Sequence, residues 1–271
     1  MKTQEKYSYN DWLKDWAKAY KSDLISYKNI ETNIRLHIPE NLKNKPLEEL
    51  NAIDIQKALN GVKKSRTRLD VYSIYNHSLK MAYRHGLLSK DLSSLIDKPK
   101  HTRVVGKALN KNELAQFKED ITGKRCEFVF MYCLLSGCRR SEAIALTWED
   151  IDFDNKTIHI KGTKTVLSDR YIPLFKDCED LLLKMQKKNN STTGKVFKHR
   201  ADYLTKEFKK LCPTHKLHDL RHTFATRCLE CGINIKVVQK WLGHSRLDTT
   251  ASIYTHCQDD FVKSEALKFK L

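Results

Sequence analysis

No apolar run in this chain approaches the ~18–20 residues needed to span a membrane, so no membrane-spanning helix is expected. The first ten residues, MKTQEKYSYN, lack an apolar h-region, and no signal peptide is expected. There is no internal repeat and no low-complexity segment. The H-E-x-x-H pattern of zinc proteases is missing, and so is a second C-x-x-C pair to join the one at Cys228 and Cys231. What remains, with 40% apolar and 31% charged residues, has the balance of a soluble globular protein. Eight cysteines without an export signal are expected to be reduced thiols in a cytoplasm. Cys126, Cys133 and Cys138 lie in the run CEFVFMYCLLSGC, where cysteine serves as a small hydrophobe.

Positive charge is what the chain has in excess. It carries 50 Lys or Arg against 33 Asp or Glu, a net charge of +17. Residues 1–100 hold 19 basic and 12 acidic side chains, a net of +7, and the remainder holds +10. Two basic halves suggest one long polyanion touching both, with DNA or RNA as the first candidate. A length of 271 residues is enough for two domains with their own cores.

The first hundred residues read as helices. SYNDWLKDWAKAYKSDLI puts Trp12, Trp16, Ala19 and Tyr20 on one face, with Ser8 or Asn10 as the cap. LNAIDIQKALNGV predicts a short helix capped at Asn51 and stopped at Gly61. RTRLDVYSIYNHSLKMAYRHG keeps Leu69, Tyr72, Ile74, Tyr75, Leu79 and Ala82 near helical spacing and stops at Gly86. Its cationic start supplies Lys63, Lys64, Arg66 and Arg68, which could grip phosphates. Residues 97–107, DKPKHTRVVGK, contain a proline, a glycine and several cations without an amphipathic period. They are read as a linker between domains at 1–96 and 108–271, with Lys100 and Arg103 lying along the polyanion. Beyond it, KNELAQFKEDI, CEFVFMYCLLSG and SEAIALTW predict helices, and TIHI and RYIPL predict the strands of a hairpin. Helices resume with ADYLTKEFKKL, LHDLRHTFATRCLECG, NIKVVQKWLG and DTTASIYTHC. The expected fold class is mainly α with a small antiparallel β-sheet.

One stretch, LHDLRHTFATRCLECG at 217–232, supports two incompatible readings. His218 and His222 with Cys228 and Cys231 resemble a zinc box. His218 and Arg221, three apart on one helix, could instead face one anion. The metal reading fares badly. Asp219 follows the first histidine where a protease has glutamate, and Arg221 is a fixed cation between the two histidines. Cys228 falls on the apolar stripe of Leu220, Phe224 and Ala225. The anion reading gains from an arginine in SGCRRSEAIALTWEDID, a lysine in KGTKT, a histidine in WLGHS and a tyrosine in SIYTHC.

Together these segments resemble the tyrosine recombinases, or phage integrases. The resemblance is dense over residues 217–256 and clear in SGCRRSEAIALTWEDID, and the helical first hundred residues resemble the family's core-binding domain more loosely. It implies a helical core-binding domain and a mixed α/β catalytic domain that clamp duplex DNA. It implies that Arg139 and Arg221 are the catalytic arginines, His218 and His244 the histidines, and Tyr254 the nucleophile. Glu142 matches an acidic residue that braces the site, and Arg140 matches no catalytic position. Lys164 fits the general-acid lysine best, with Lys161 as the alternative. Many integrases carry a further N-terminal domain for arm-type DNA sites, so this chain is either of the shorter type or a truncated one.

The implied chemistry needs no metal, cofactor or ATP. His218 takes the phenol proton of Tyr254, which attacks a DNA phosphodiester. The guanidiniums of Arg139 and Arg221 meet the charge growing on the non-bridging oxygens. Lys164 protonates the departing 5′ oxygen. The implied activity is site-specific recombination that integrates or excises a phage or other mobile element. The partners are double-stranded DNA, a homotetramer on synapsed sites formed from monomers in solution, and a directionality factor. The apolar residues of the tail at 258–271 suit docking on a neighbouring protomer or on their own domain. The setting is the cytoplasm of a bacterial, archaeal or phage-infected host cell. The alternative is a topoisomerase IB-like or resolving enzyme with the same site, and a pure DNA-binding module is the more distant rival.

Overall fold

The computed structural model describes residues 7–101, 106–162, 169–190 and 192–243. They fall into two compact units, Met1–Arg103 and Val104–Leu271. The first unit is helical, with α1 (Tyr9–Lys21), α2 (Tyr27–His37), α3 (Glu40–Lys43), α4 (Ala52–Asn60) and α5 (Ser65–Arg84). Ser8 caps α1 by accepting the N–H of Asp11. Tyr9, Trp12, Leu13, Trp16 and Ala17 then recur at helical spacing and are buried. Ala19 and Tyr20, expected on that face, are exposed, because Ala17 continues the buried stripe. Tyr20 instead places its hydroxyl 2.6 Å from His85 Nε2 at the surface.

Helix α5 buries Val71, Ile74, Tyr75, Ser78, Leu79 and Ala82 in the same core, while Leu69 and Tyr72 are only half-buried. The polar atoms that enter this core find partners. Trp12 Nε1 donates to the Ser78 carbonyl at 2.9 Å, Trp16 Nε1 to His77 Nδ1 at 2.7 Å, and the Tyr9 hydroxyl lies 3.0 Å from Ser78 Oγ. Asn51 caps α4 and Gly61 follows its end, as the sequence suggests. The expected linker is partly attached on either side. The Asp97 N–H donates to Gln56 Oε1, His101 Nδ1 lies 3.0 Å from Ser65 Oγ, and Gly106 packs against His222 of the second unit.

The second unit has α6 (Lys111–Ile121), α7 (Glu127–Ser136), α8 (Arg140–Ala145), β1 (Ile151–Asp152), β2 (Thr157–Ile160), β3 (Arg170–Pro173), α9 (Lys176–Asn189), α10 (Ala201–Leu211), α11 (Asp219–Glu230) and α12 (Ile235–Leu242). The sheet is antiparallel in the order β1-β2-β3, with Ile158 opposite Ile172 and His159 opposite Tyr171. Ile158, Ile160 and Ile172 turn inward, as strand alternation requires. Strand β1 and helices α2 and α9 are not evident in the sequence pattern. Helix α2 buries no residue fully and only rests Tyr27, Ile30 and Ile34 on the core.

Helix α7 is apolar on nearly every side and packs against α9 and α11. It ends at Gly137, whose φ of +65° suits glycine, and a Cβ there would lie 2.3 Å from Phe224 Cδ1. The chain can therefore turn sharply at this point and deliver Cys138 and Arg139 to the start of α8. No helix among the described residues is long and apolar enough to cross a membrane. The mainly α class with a small antiparallel sheet matches the expectation. The helix expected at DTTASIYTHC and the tail at 258–271 lie outside the described residues.

Candidate active site

Arg139 stands at the N-cap of α8, directly after the turn at Gly137 and Cys138. Glu142, three residues on, reaches back in the manner of a capping box. Its Oε2 accepts the Arg139 backbone N–H at 2.7 Å, and its Oε1 accepts from the Arg139 guanidinium at 2.6 Å. Arg221 arrives from α11 with 2% of its surface exposed. It donates through Nη1 to the Gly137 carbonyl at 3.0 Å and through Nη2 to the Leu242 carbonyl. Its Nη1 lies 4.0 Å from Glu142 Oε2, and its Nε has no hydrogen-bond partner among the described residues.

A third guanidinium, Arg170 of β3, grips both Glu142 oxygens at 3.2 and 3.1 Å. Sequence reasoning missed it. The available signal was alternation: Arg170 and Ile172 share the buried face of β3 while Tyr171 is exposed. A buried arginine requires a carboxylate. Burial alone would raise the Glu142 carboxyl. The hydrogen bonds and charge of Arg170, then those of Arg139, outweigh that and hold it at about 2.

His218 is the N-cap residue of α11, one turn from Arg221, with its ring perpendicular to that of His222 at a centroid distance of 5.1 Å. Desolvation first, then the charges of His222, Arg221 and Arg139, push its pKa down to about 4. The imidazole is neutral at pH 7 and can accept a proton. Burial and the like charge of Arg139 push the Arg221 pKa down to about 9, which still leaves it cationic. The site thus combines fixed positive charge with a neutral base.

The structure brings together Arg139, Glu142, His218 and Arg221. Arg140 turns away and donates to the Ala201 carbonyl and Thr205 on α10. Lys161 is exposed, with its ammonium 2.5 Å from Asp150 Oδ1, a contact that raises its pKa. Lys164, His244, Tyr254 and Arg103 lie outside the described residues. In the first unit, Lys63, Lys64 and Lys100 are exposed. Arg66 pairs with Asp70 at 3.1 Å, and Arg68 Nε donates to the Val62 carbonyl at 2.8 Å. Cys228 is buried on the core face of α11, and Cys231 is exposed just past its end. Among the described residues no three His, Cys, Asp or Glu side chains converge to hold a metal.

A family model described as the phage integrase family matches residues 107–260, over half of the chain, and one described as the phage integrase N-terminal SAM-like domain matches residues 8–62. The chain belongs to the phage integrase family. It is 33% identical over 174 residues to the tyrosine recombinase XerA of Saccharolobus solfataricus, covering 63% of this chain and 59% of the relative. It is 29% identical over 190 residues to a XerC-like tyrosine recombinase of Caldanaerobacter subterraneus, covering 53% of this chain and 49% of the relative. The matches thus span about half of the length of these two curated relatives. A solved lambda integrase tetramer bound to a Holliday junction shares the fold of this integrase-family chain. Its TM-score is 0.77 at 18% identity, covering 96% of this chain and 79% of that one.

Proposed function

We propose that this chain is a site-specific DNA recombinase that cuts and rejoins DNA through a 3′-phosphotyrosine on Tyr254. The observation that carries the reading is the pair of guanidiniums from α8 and α11, set on one shared carboxylate beside a neutral imidazole. Such a site is built for a reaction in which negative charge grows on phosphate oxygens while a proton is removed. Tyr254 Oη attacks phosphorus, and its proton passes to His218. The bond to the 5′ oxygen breaks, with Lys164 supplying the proton to the leaving group. Arg139, Arg221 and His244 hold the non-bridging oxygens. The phosphotyrosine keeps the bond energy, so a second 5′-hydroxyl can reseal the strand without ATP or a metal.

Double-stranded DNA is the substrate in this reading. The first unit, with Lys63, Lys64, Arg66, Arg68, Lys100 and Arg103, is its core-binding domain, and the second is the catalytic domain. The acting form is a tetramer on two sites, a reading supported by the solved lambda integrase tetramer bound to a Holliday junction. The work takes place in the cytoplasm of a bacterial, archaeal or phage-infected cell, on a phage or other mobile element. The ion pair between Lys161 and Asp150 supports Lys164 over Lys161 as the acid, because a proton held by a carboxylate is given up less readily.

The test is to incubate the protein with a library of DNA duplexes carrying nicks, which let the cleaved end diffuse away. Adducts that survive SDS are recovered and their DNA is sequenced. The reading predicts one enriched sequence from the wild type and no adduct from Tyr254→Phe. Adduct of equal yield from the Phe variant would remove Tyr254 as the nucleophile.

A further inference from the structure

Arg170 has no part in the chemistry above, yet it is built into the site at three points. It leaves β3 facing inward, with 5% of its side chain exposed. A guanidinium in such a place is costly unless its donors are met. Two of them make a parallel fork onto Glu142, at 3.2 and 3.1 Å. A third, Nε, donates to the Trp241 carbonyl at 2.5 Å, in the last turn of α12. One side chain therefore ties the strand that follows residues 161–169 to the carboxylate under Arg139. It also ties both to the helix that precedes His244 in sequence.

The charges explain what this link achieves. Glu142 is one anion among three guanidiniums, so the cluster with Arg139, Arg170 and Arg221 carries a net +2. Without Arg170, the strong partner left within hydrogen-bond reach of Glu142 is Arg139. A carboxylate and a guanidinium close into a bidentate pair when nothing else competes. Arg139 would then spend its fork on Glu142 instead of a phosphate, and the cluster would fall to +1. With Arg170 in place, Arg139 gives Glu142 a single guanidinium contact through Nη1, its Nη2 makes only a long 3.4 Å contact to the Gly243 carbonyl, and 34% of its side chain stays exposed.

Resting on the recombinase reading, we propose that Arg170 is a positioning residue that occupies Glu142 and thereby keeps the Arg139 fork open for the scissile phosphate. In this role Arg170 acts on the chemistry through Glu142 and not by donating to the phosphate. Its effect on cleavage passes through Glu142, which separates it from a residue that merely stiffens the fold.

The test uses a nicked duplex carrying the DNA recovered by trapping, at saturating concentration. Single-turnover adduct formation is followed for wild type, Arg170→Met, Glu142→Gln and the double variant. Dissociation constants and melting temperatures are measured on the same preparations. Arg170→Met should slow cleavage on the order of 100-fold, the usual scale for a misplaced transition-state donor, while DNA affinity stays within about threefold. In the Glu142→Gln background the same change should cost less than about threefold, because its route is already gone.

Wild-type cleavage by Arg170→Met, or the full loss repeated in the Glu142→Gln background, overturns the proposal. So does a joint fall of melting temperature, affinity and rate. Should Arg170→Met fail to fold, Arg170→Lys decides: it keeps the charge but cannot form the fork. It should bind normally and cleave about tenfold more slowly, and an unimpaired rate overturns the role of the fork. Absence of adduct from the wild type would sink the recombinase reading itself. Adduct from the wild type with unimpaired Arg170 variants would sink only the positioning role.

Discussion

Replacing Glu142 with Gln should remove a specific piece of acid sensitivity. The folded carboxyl sits at about 2 instead of the ordinary 4.5. A depression of roughly 2.5 is worth about 3 kcal/mol of folding stability at neutral pH. Because the folded pKa is lowered, that stability is complete above about pH 5 and is lost as pH falls toward 2. With these two pKa values, about 2 of the 3 kcal/mol have gone by pH 3. The group is 7% exposed, so little of this is screened by solvent. The amide of the glutamine variant cannot titrate, so the stability gap between wild type and variant should narrow by about 2 kcal/mol between pH 7 and pH 3. Hydrogen exchange of the α7 amides, at the centre of the second unit, reads its opening free energy at each pH. A gap of equal size at both pH values would refute the idea that the arginines hold this carboxyl down.

Three further outcomes follow from the same site. Single-turnover cleavage should stay level as pH falls from 8 to about 6, because the His218 pKa is lowered to about 4 and the base remains neutral; an acid limb centred at 6.5 that disappears in His218→Gln would contradict this. Gly137→Ala should destabilise the second unit by about 2–5 kcal/mol, combining left-handed backbone strain with the clash against Phe224, and a loss under about 0.5 kcal/mol in urea unfolding would show that the turn has room. Cleavage should continue in EDTA, and loss restored by zinc or magnesium would revive a metal role for His218 and His222.

Much of the fold could be read where burial and periodicity coincide. The α1 stripe of Trp12 and Trp16, the Asn51 cap and the two strands TIHI and RYIPL are visible because each leaves a local mark. Helix α2 leaves none, since its apolar residues are only partly covered. Helix α9 hides Cys178, Leu182 and Met185 among charges that break the pattern to the eye. The candidate site was legible as a set of residue types, of which Arg139, Glu142, His218 and Arg221 lie close together in the structure. Arg170 was not, because its meaning lies in a contact 28 residues away in the chain. A lone arginine in a short strand looks like an exposed edge until its neighbour Tyr171 is seen to face outward. The depression of His218 was equally hidden, being a property of burial first and of the neighbouring charges of His222, Arg221 and Arg139 second.

The account stands or falls on which atom carries the DNA. Trapped adduct can be digested with trypsin and nuclease, and the modified peptide sequenced by mass spectrometry. The account predicts a single nucleotide-bearing peptide, with the phosphate on Tyr254 and joined to the 3′ oxygen of the nucleotide. A phosphate on any other residue, or a linkage to the 5′ oxygen, would contradict it.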